Sequence, residues 1–237
     1  MNVRLSEIFT SIEGEGILYG TKTLFVRLAG CPFTCFYCDT PESLPLDSGK
    51  EYAIQQACDM IDSHLQDKTY KVNFTGGDPL IQHRATAKLA EHVQKKNILT
   101  YLESSCFDSE RFHDVLPYID IAKIEFKTVD SGFVDSGHYD TLIQNAIKCM
   151  ELSTASGKTT YIKIVVSSKT CPDDFSALVK QIFSSAHRDE ISGFIIQPTY
   201  GISEPSLDLL LNLYDIVYPY YDAVKVVPQL HKLIGAP

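Results

Sequence analysis

The chain has 237 residues, enough for one domain with a sizeable core, and its 21 basic and 30 acidic side chains leave a net charge of −9. That balance excludes a broad phosphate-binding face for DNA or RNA, so the expected ligand is a small molecule and not a nucleic acid. No run approaches the ~20 apolar residues that span a bilayer, and MNVRLSEIFT carries no apolar leader, which predicts a cytoplasmic protein with no membrane partner.

Residues 2–9 read as a strand, followed by the glycine-punctuated loop SIEGEG at 11–16, where backbone can approach a ligand closely. Glu13 and Glu15 lie in that loop. Residues 23–29 form an apolar, β-rich run interrupted by Arg27, whose guanidinium is costly to bury without an anion. Either an internal pair with Glu13 or Glu15, or a ligand carboxylate gripped by two nitrogens, satisfies it.

The next stretch, GCPFTCFYCDT at 30–40, sets Cys31, Cys35 and Cys38 in a C-x3-C-x2-C array. Three thiols this close point to a metal. A four-iron cluster is usually held by four cysteines, so three leave one iron open to a small molecule. Structural zinc wants four ligands, and buried structural thiols have no reason to cluster. Gly30 and Pro32 favour a turn, while Phe33, Phe36 and Tyr37 can shield the metal from water. Cys58, Cys106, Cys149 and Cys171 are scattered, and the odd total of seven suits a reducing compartment better than a disulfide framework.

From there the pattern alternates. A helix is predicted over 51–65, a strand over 70–74 running into TGGDP at 75–79, a helix over 81–96, and a strand over 98–103. The paired glycines of TGGDP suit backbone N–H groups facing a ligand. A short helix at 108–116, a strand at 119–126, a helix at 138–153 and a strand at 159–167 follow. Pro172 opens a helix, 192–198 is a strand, Ser203 and Pro205 precede a helix, and AVKVV at 223–227 is a last strand before PQLHKLIGAP. Repeated βα units of this kind imply an α/β fold, a partial TIM-type barrel of about six or seven mostly parallel strands. The site belongs at its C-terminal mouth, where the cysteine loop, TGGDP, Glu103 to Ser105, Glu125 to Lys127 and QPTYG at 197–201 all fall. Polar residues at strand ends are common singly, and it is their convergence that points to a site.

The cysteine array, with an aromatic before its last cysteine and the strand TLFVRLAG before its first, resembles the radical S-adenosylmethionine (SAM) superfamily. EIFTSIEGEG, FVRLAGC, CDT, TGGDP, the LESS stretch at 102–105 and VPQLHK at 227–232 together resemble its 7-carboxy-7-deazaguanine synthase family over nearly the whole chain. The resemblance implies one radical SAM domain over 1–237, closed by an N-terminal strand and loop and a C-terminal tail. It implies a [4Fe-4S] cluster on Cys31, Cys35 and Cys38, and SAM bound by Tyr37, Cys38, Asp39, Gly77, Glu125, Phe126, Lys127, Gln197, Pro198, Thr199 and Tyr200. Mg2+ falls to Thr40, and the substrate pocket to Ile12, Glu13, Gly14, Glu15, Arg27, Thr75, His231 and Pro237. The reaction implied is a ring contraction of 6-carboxy-5,6,7,8-tetrahydropterin to 7-carboxy-7-deazaguanine with release of ammonia, in 7-deazapurine biosynthesis. Its partners are the pterin, an electron donor such as flavodoxin or ferredoxin, and a second copy in a homodimer.

Three residues depart from the family's usual ones: Glu13 stands where Gln is frequent, Asp78 where Glu is, and Cys106 where Gly is. Thr40 read alone is also a loop cap, and His231 beside Lys232 also a solvated surface histidine. The alternative activity is that of a radical SAM activase generating a glycyl radical on a partner protein, which needs neither Thr40 nor a buried arginine. A non-catalytic electron-transfer protein would want four protein ligands and no SAM pocket.

Overall fold

The computed structural model describes residues 1–132 and 138–236. One nine-stranded sheet runs through them, ordered β3-β1-β2-β4-β5-β6-β7-β8-β9. Its parallel part comprises β2 (Lys22–Leu28), β4 (Lys71–Gly76), β5 (Leu99–Ser104), β6 (Ile121–Phe126), β7 (Thr159–Val166), β8 (Gly193–Pro198) and the two-residue β9 (Lys225–Val226). These are the seven parallel strands of the expected partial barrel. Two antiparallel strands extend its edge: β1 (Asn2–Ile12), three residues longer than its apolar pattern suggests, and β3 (Lys50–Ala53), which takes the first residues of the segment predicted as helix.

The helices cover the outer face. They are α1 (Ile54–His64), α2 (His83–Gln94), α3 (Ser109–Val115), α4 (Tyr139–Ala155), α5 (Pro172–Ser185) and α6 (Leu207–Val217); a seventh, α7 (Leu230–Ile234), occupies the tail after the last strand, to which the sequence reading assigns no element. α2 shows why they sit there: Ala85, Ala87, Leu89, Ala90 and Val93 are buried along one stripe of a helix otherwise polar. Asp108 accepts from the N–H groups of Glu110 and Arg111 to start α3, and Ser206 accepts from Leu209 N–H to start α6.

Alternation along each strand divides the molecule in two. Leu24, Val26, Leu28, Val72, Phe74, Leu102, Ala122, Ile124, Phe126, Ile162, Ile164, Phe194 and Ile196 point outward into one apolar core shared with the helices. Burying such side chains, at about 1.5–3 kcal/mol for each large one, holds the helices on the sheet. The inward set is different. Tyr101, Ile121, Tyr161 and Ile195, from four successive strands, meet one another with Val227, Ile17 and Leu18, and the Tyr101 and Tyr161 rings stack 6.2 Å apart across the intervening β6. The sheet is therefore curled around a small apolar floor, and above that floor its inner face is polar.

Candidate functional site

The end of β2 leads into the cysteine loop through a backbone that leaves no room for side chains. Gly30 has φ of 99°, Gly76 has φ of 139°, and a Cβ on Gly76 would lie 2.1 Å from the Leu28 carbonyl oxygen. One on Gly77 would lie 2.4 Å from the Gly30 carbonyl oxygen. The N–H groups of Gly77 and Asp78 donate to Leu28 O (3.0 Å) and Gly30 O (2.7 Å). The diglycine pair thus seats the end of β4 against the root of the cysteine loop, and those two N–H groups are occupied by protein and not aimed at a ligand. Asp78, 1% exposed, continues the brace: it accepts from Ser104 Oγ (2.9 Å), Ser105 N (2.9 Å) and Leu80 N (3.0 Å). Burial holds its carboxyl above the usual carboxylate range, opposed only in part by hydrogen bonds from Ser105, Leu80 and Ser104.

Cys31, Cys35 and Cys38 are all reduced and half-buried at the mouth, whereas Cys58, Cys106 and Cys149 are buried in the core and Cys171 is exposed far along the chain. Burial, and next the Asp78 carboxylate, push the Cys31 thiol up to about 12, and burial raises Cys35 and Cys38 as well. Iron binding here must displace thiol protons. Lys127 stands with its ammonium 5.5 Å from the Tyr37 ring centroid, and Lys169 stands 4.7 Å from that of Phe36. Phe33 packs edge-on to Phe107 at 6.1 Å, so the aromatic residues between the cysteines do wall the loop.

Behind the loop lies a cavity of about 360 Å³. Of the site residues named from sequence, it is lined by all but two. Phe126 points outward into the apolar core, so only its backbone can serve the site, and Pro237 lies outside the described residues. Two of the liners carry buried polar atoms without a hydrogen-bond partner among the described residues: the Tyr37 hydroxyl and Gln197 Oε1. Unsatisfied groups at this depth cost free energy unless a ligand meets them, and both belong to the set expected to bind SAM. Three clustered thiols with those orphaned atoms beside them fit a cluster with a bound SAM.

The inner wall is a lattice of opposite charges that the sequence reading largely missed. Glu125 lies 2.9 Å from Lys123, 3.7 Å from Lys163 and in direct contact with Lys127. Glu103 accepts from Thr75 Oγ1 (2.9 Å) and Tyr101 Oη (3.2 Å), with Lys123 3.5 Å away. Glu15 takes Lys163, Gln197 Nε2 (3.0 Å) and Gln229 Nε2 (2.9 Å). Burial alone would raise Glu125, but Lys123 and Lys127 hold it well below 4.5. Burial opposes charge on those two lysines also, yet Glu103 and Glu125 hold Lys123, and Glu125 holds Lys127, well above the ordinary value. Lower down, Glu13 meets Lys71 with both side chains almost wholly buried, and Asn73 Nδ2 donates to the same carboxylate at 3.2 Å.

Arg27 pairs with neither loop glutamate. Its Nε donates to Glu7 Oε1 at 2.7 Å, because β1 runs antiparallel to β2 and brings Glu7 opposite it. His231 is not a solvated surface histidine: its Nε2 lies 3.5 Å from Asp39 Oδ2, and its ring fills the space a Cβ on Gly14 would need, 2.1 Å from Nδ1. Leu230 N–H donates to Gly14 O at 2.9 Å, tying α7 across the mouth to the 11–16 loop. The Thr40 side chain caps no backbone N–H; its hydroxyl accepts a long bond from Ser43 Oγ, 3.4 Å, and hydrogen-bonds the Cys38 sulfur, opposing the rise that burial imposes on that thiol. Beside it, Glu15, Asp39 and His231 bring one ligand atom each within 4.8 Å of one another.

Sequence comparison matches residues 12–145 to a family model described as a 4Fe-4S single cluster domain. A 7-carboxy-7-deazaguanine synthase from Archaeoglobus fulgidus is 31% identical over 99% of this chain and 99% of its own length. Another, from Methanothermobacter thermautotrophicus, is 29% identical over 99% and 98%. Among solved structures, QueE from Escherichia coli superposes with a TM-score of 0.67 at 19% identity, covering 98% of this chain and 95% of that one. A domain of pyruvate-formate lyase-activating enzyme from Bacteroides vulgatus reaches a TM-score of 0.52 at 15% identity over 66% of this chain and 98% of its own, a likeness of fold.

Proposed function

Because the chain belongs to the 7-carboxy-7-deazaguanine synthase family, we propose that it converts 6-carboxy-5,6,7,8-tetrahydropterin to 7-carboxy-7-deazaguanine, releasing ammonia. It is a radical SAM carbon–nitrogen lyase. The observation that carries this reading is full-length similarity to synthases together with three clustered thiols at the mouth of a charge-lined cavity. The activase is the weaker reading, since its likeness is one of fold alone.

The cluster and SAM, when bound, supply the 5′-deoxyadenosyl radical that takes hydrogen from C6 of the pterin. The chain supplies the rest. Cys31, Cys35 and Cys38 hold the iron. Tyr37 to Asp39, Gly77, Glu125 to Lys127 and Gln197 to Tyr200 hold SAM, a reading supported by the orphaned Tyr37 hydroxyl and Gln197 Oε1. Arg27 takes the substrate carboxylate, while Ile12 to Glu15, Thr75 and His231 surround the ring. Thr40 offers a hydroxyl to Mg2+, which accepts hard oxygen ligands, and lines the same cavity as Asp39 and Glu15. The N-terminal loop and α7 close the mouth of what we read as one domain over 1–237, keeping a reactive radical from water.

Among the described residues no helix is long and apolar enough to cross a membrane, and free cysteines support a cytoplasmic location. A flavodoxin or ferredoxin as electron donor completes the reading. Leu207 and Leu211 on α6, and Tyr218 just past its end, are exposed and support a homodimer. The test of function is anaerobic incubation of reconstituted protein with SAM, reductant, Mg2+ and the carboxytetrahydropterin, followed by mass analysis. Absence of 7-carboxy-7-deazaguanine from protein with a full cluster refutes the assignment.

A further inference from the structure

The β1–β2 ladder contains a register shift. Leu5 pairs with Leu28, but the next pair is Glu7 with Arg27, so Ser6 is an extra residue. In an uninterrupted antiparallel ladder Ser6 would face Arg27, and Glu7 would turn to the other side of the sheet. The side chains record the switch. Val3 and Leu5, before the bulge, lie in the helix-side core; Ile8, after it, packs on that same core. Glu7 and Phe9 consequently turn to the cavity, which both line. A bulge of this kind re-aims a side chain at the cost of one unpaired residue.

The side chain re-aimed is the one that holds Arg27. Glu7 accepts from Nε at 2.7 Å, and the guanidinium carbon lies 5.6 Å from the centroid of the Phe9 ring, itself stacked on Phe25 at 5.0 Å. Among the described residues Arg27 makes no other side-chain hydrogen bond, which leaves its two terminal nitrogens unused at the cavity wall. Glu7 is half-exposed, with 46% of its side chain accessible, and an ion pair so placed adds little to the stability of a fold. What it does is fix a plane. Nε bonded on one edge and an aromatic ring nearby leave the guanidinium little freedom to rotate.

We propose that Glu7 is a positioning residue for substrate recognition: by occupying Nε it presents the terminal nitrogens of Arg27 as a preset two-point fork for a planar carboxylate. This rests on the assignment of Arg27 to the substrate carboxylate. Preorganisation of that kind appears in affinity for the carboxylated ligand alone, because a pterin without the carboxylate has nothing for the fork to grip.

The test is anaerobic equilibrium binding, without reductant, of 6-carboxytetrahydropterin and of tetrahydropterin lacking the carboxylate to SAM-loaded, reconstituted protein. Glu7→Ala weakens the carboxylated ligand about tenfold, the scale of one charge-assisted hydrogen bond, and leaves the uncarboxylated one unchanged. Glu7→Gln, whose amide oxygen still accepts from Nε, stays within about threefold of the parent. Arg27→Lys abolishes the preference for the carboxylate. If Arg27→Lys behaves so while Glu7→Ala binds as the parent does, the positioning role is overturned and the role of Arg27 stands. If both Glu7 variants bind more tightly, Glu7 is a competing anion and the proposal fails. If Arg27→Lys keeps the preference, the assignment of Arg27 itself is wrong. Iron content and melting temperature, measured on each variant, separate these outcomes from misfolding.

Discussion

The Glu13–Lys71 pair lends itself to a quantitative test because both side chains are nearly inaccessible, 3% and 0% exposed. Burial raises the Glu13 carboxyl against the opposing pull of Lys71, and burial lowers the Lys71 ammonium against the opposing pull of Glu13. Lys71→Met keeps the length of the side chain and removes the charge. Glu13 then either stays ionised in a low dielectric or takes up a proton, and the second route caps the cost. Between its ordinary 4.5 and pH 7, at about 1.36 kcal/mol per pH unit, the cap is about 3.4 kcal/mol; at pH 5 it is about 0.7 kcal/mol. Breaking a buried pair typically costs about 3–5 kcal/mol, so the charge penalty at pH 7 should sit close to its ceiling. For a domain of this size about 3 kcal/mol lowers the melting temperature by roughly 6–12 °C.

The sign follows from linkage. In Lys71→Met the folded-state value of Glu13 is raised above the unfolded one, so the stability tied to it is intact below about pH 4.5 and is lost as pH rises. Glu13→Gln is the mirror image. Lys71, lowered in the folded state, is then the unpaired charge, and stability is lost as pH falls from 10.5. The two variants should therefore show opposite pH slopes in anaerobic thermal unfolding followed by circular dichroism, at matched iron content. The Lys71→Met and Glu13→Gln double variant should lose both slopes. A Lys71→Met deficit of equal size at pH 5 and pH 7 would mean that lost packing, and not an unpaired carboxylate, accounts for the effect.

Cys→Ser at 31, 35 or 38 should leave the chain folded and unable to keep its cluster, whereas Cys58→Ser and Cys149→Ser, buried on the far side of the sheet, should retain it; iron per chain after reconstitution is the measurement. Gly14→Ala should drive His231 off its seat, since the added Cβ meets Nδ1 at 2.1 Å, and should weaken pterin binding at least about tenfold while SAM binding holds. Thr40→Val preserves shape and deletes an oxygen that otherwise meets Ser43 and the Cys38 sulfur, so a Mg2+ titration of activity should shift to higher concentration while iron content per chain holds.

The outer half of this structure is legible because strand and helix periods both report burial against one apolar core. The cysteine spacing is legible because chemistry demands it locally. The interior is harder to read. In IAKIEF the inward residues Lys123 and Glu125 stand two apart and pair with each other, a signal available to anyone following the period of two, but the charges that complete the lattice around them lie on neighbouring strands: Glu103 on β5, Lys163 on β7. No single strand shows those further partners. Nor does LSEIF announce a bulge, so the internal partner open to Arg27 from sequence, beside a ligand carboxylate, is Glu13 or Glu15, whereas the shifted register supplies Glu7.

The same logic explains the family departures. Cys106 occupies a position with φ of 57°, the left-handed region in which a glycine is unstrained, so the Gly that the resemblance implies there would answer a backbone demand that this chain meets at a strain cost. Asp78 is held by Ser104 and Ser105, which the parallel pairing of β4 with β5 brings within reach of the shorter carboxylate. Glu13, where an uncharged amide is frequent, is matched by Lys71. With it, four carboxylates (Glu13, Glu15, Glu103 and Glu125) face four ammonium groups (Lys71, Lys123, Lys127 and Lys163) across the inner wall. A neutral lattice of that kind tolerates paired changes and penalises single ones, because a lone substitution strands its partner in low dielectric. A residue in this wall therefore has to be read together with the groups the curled sheet sets opposite it, and a change at position 13 is a change at position 71 as well.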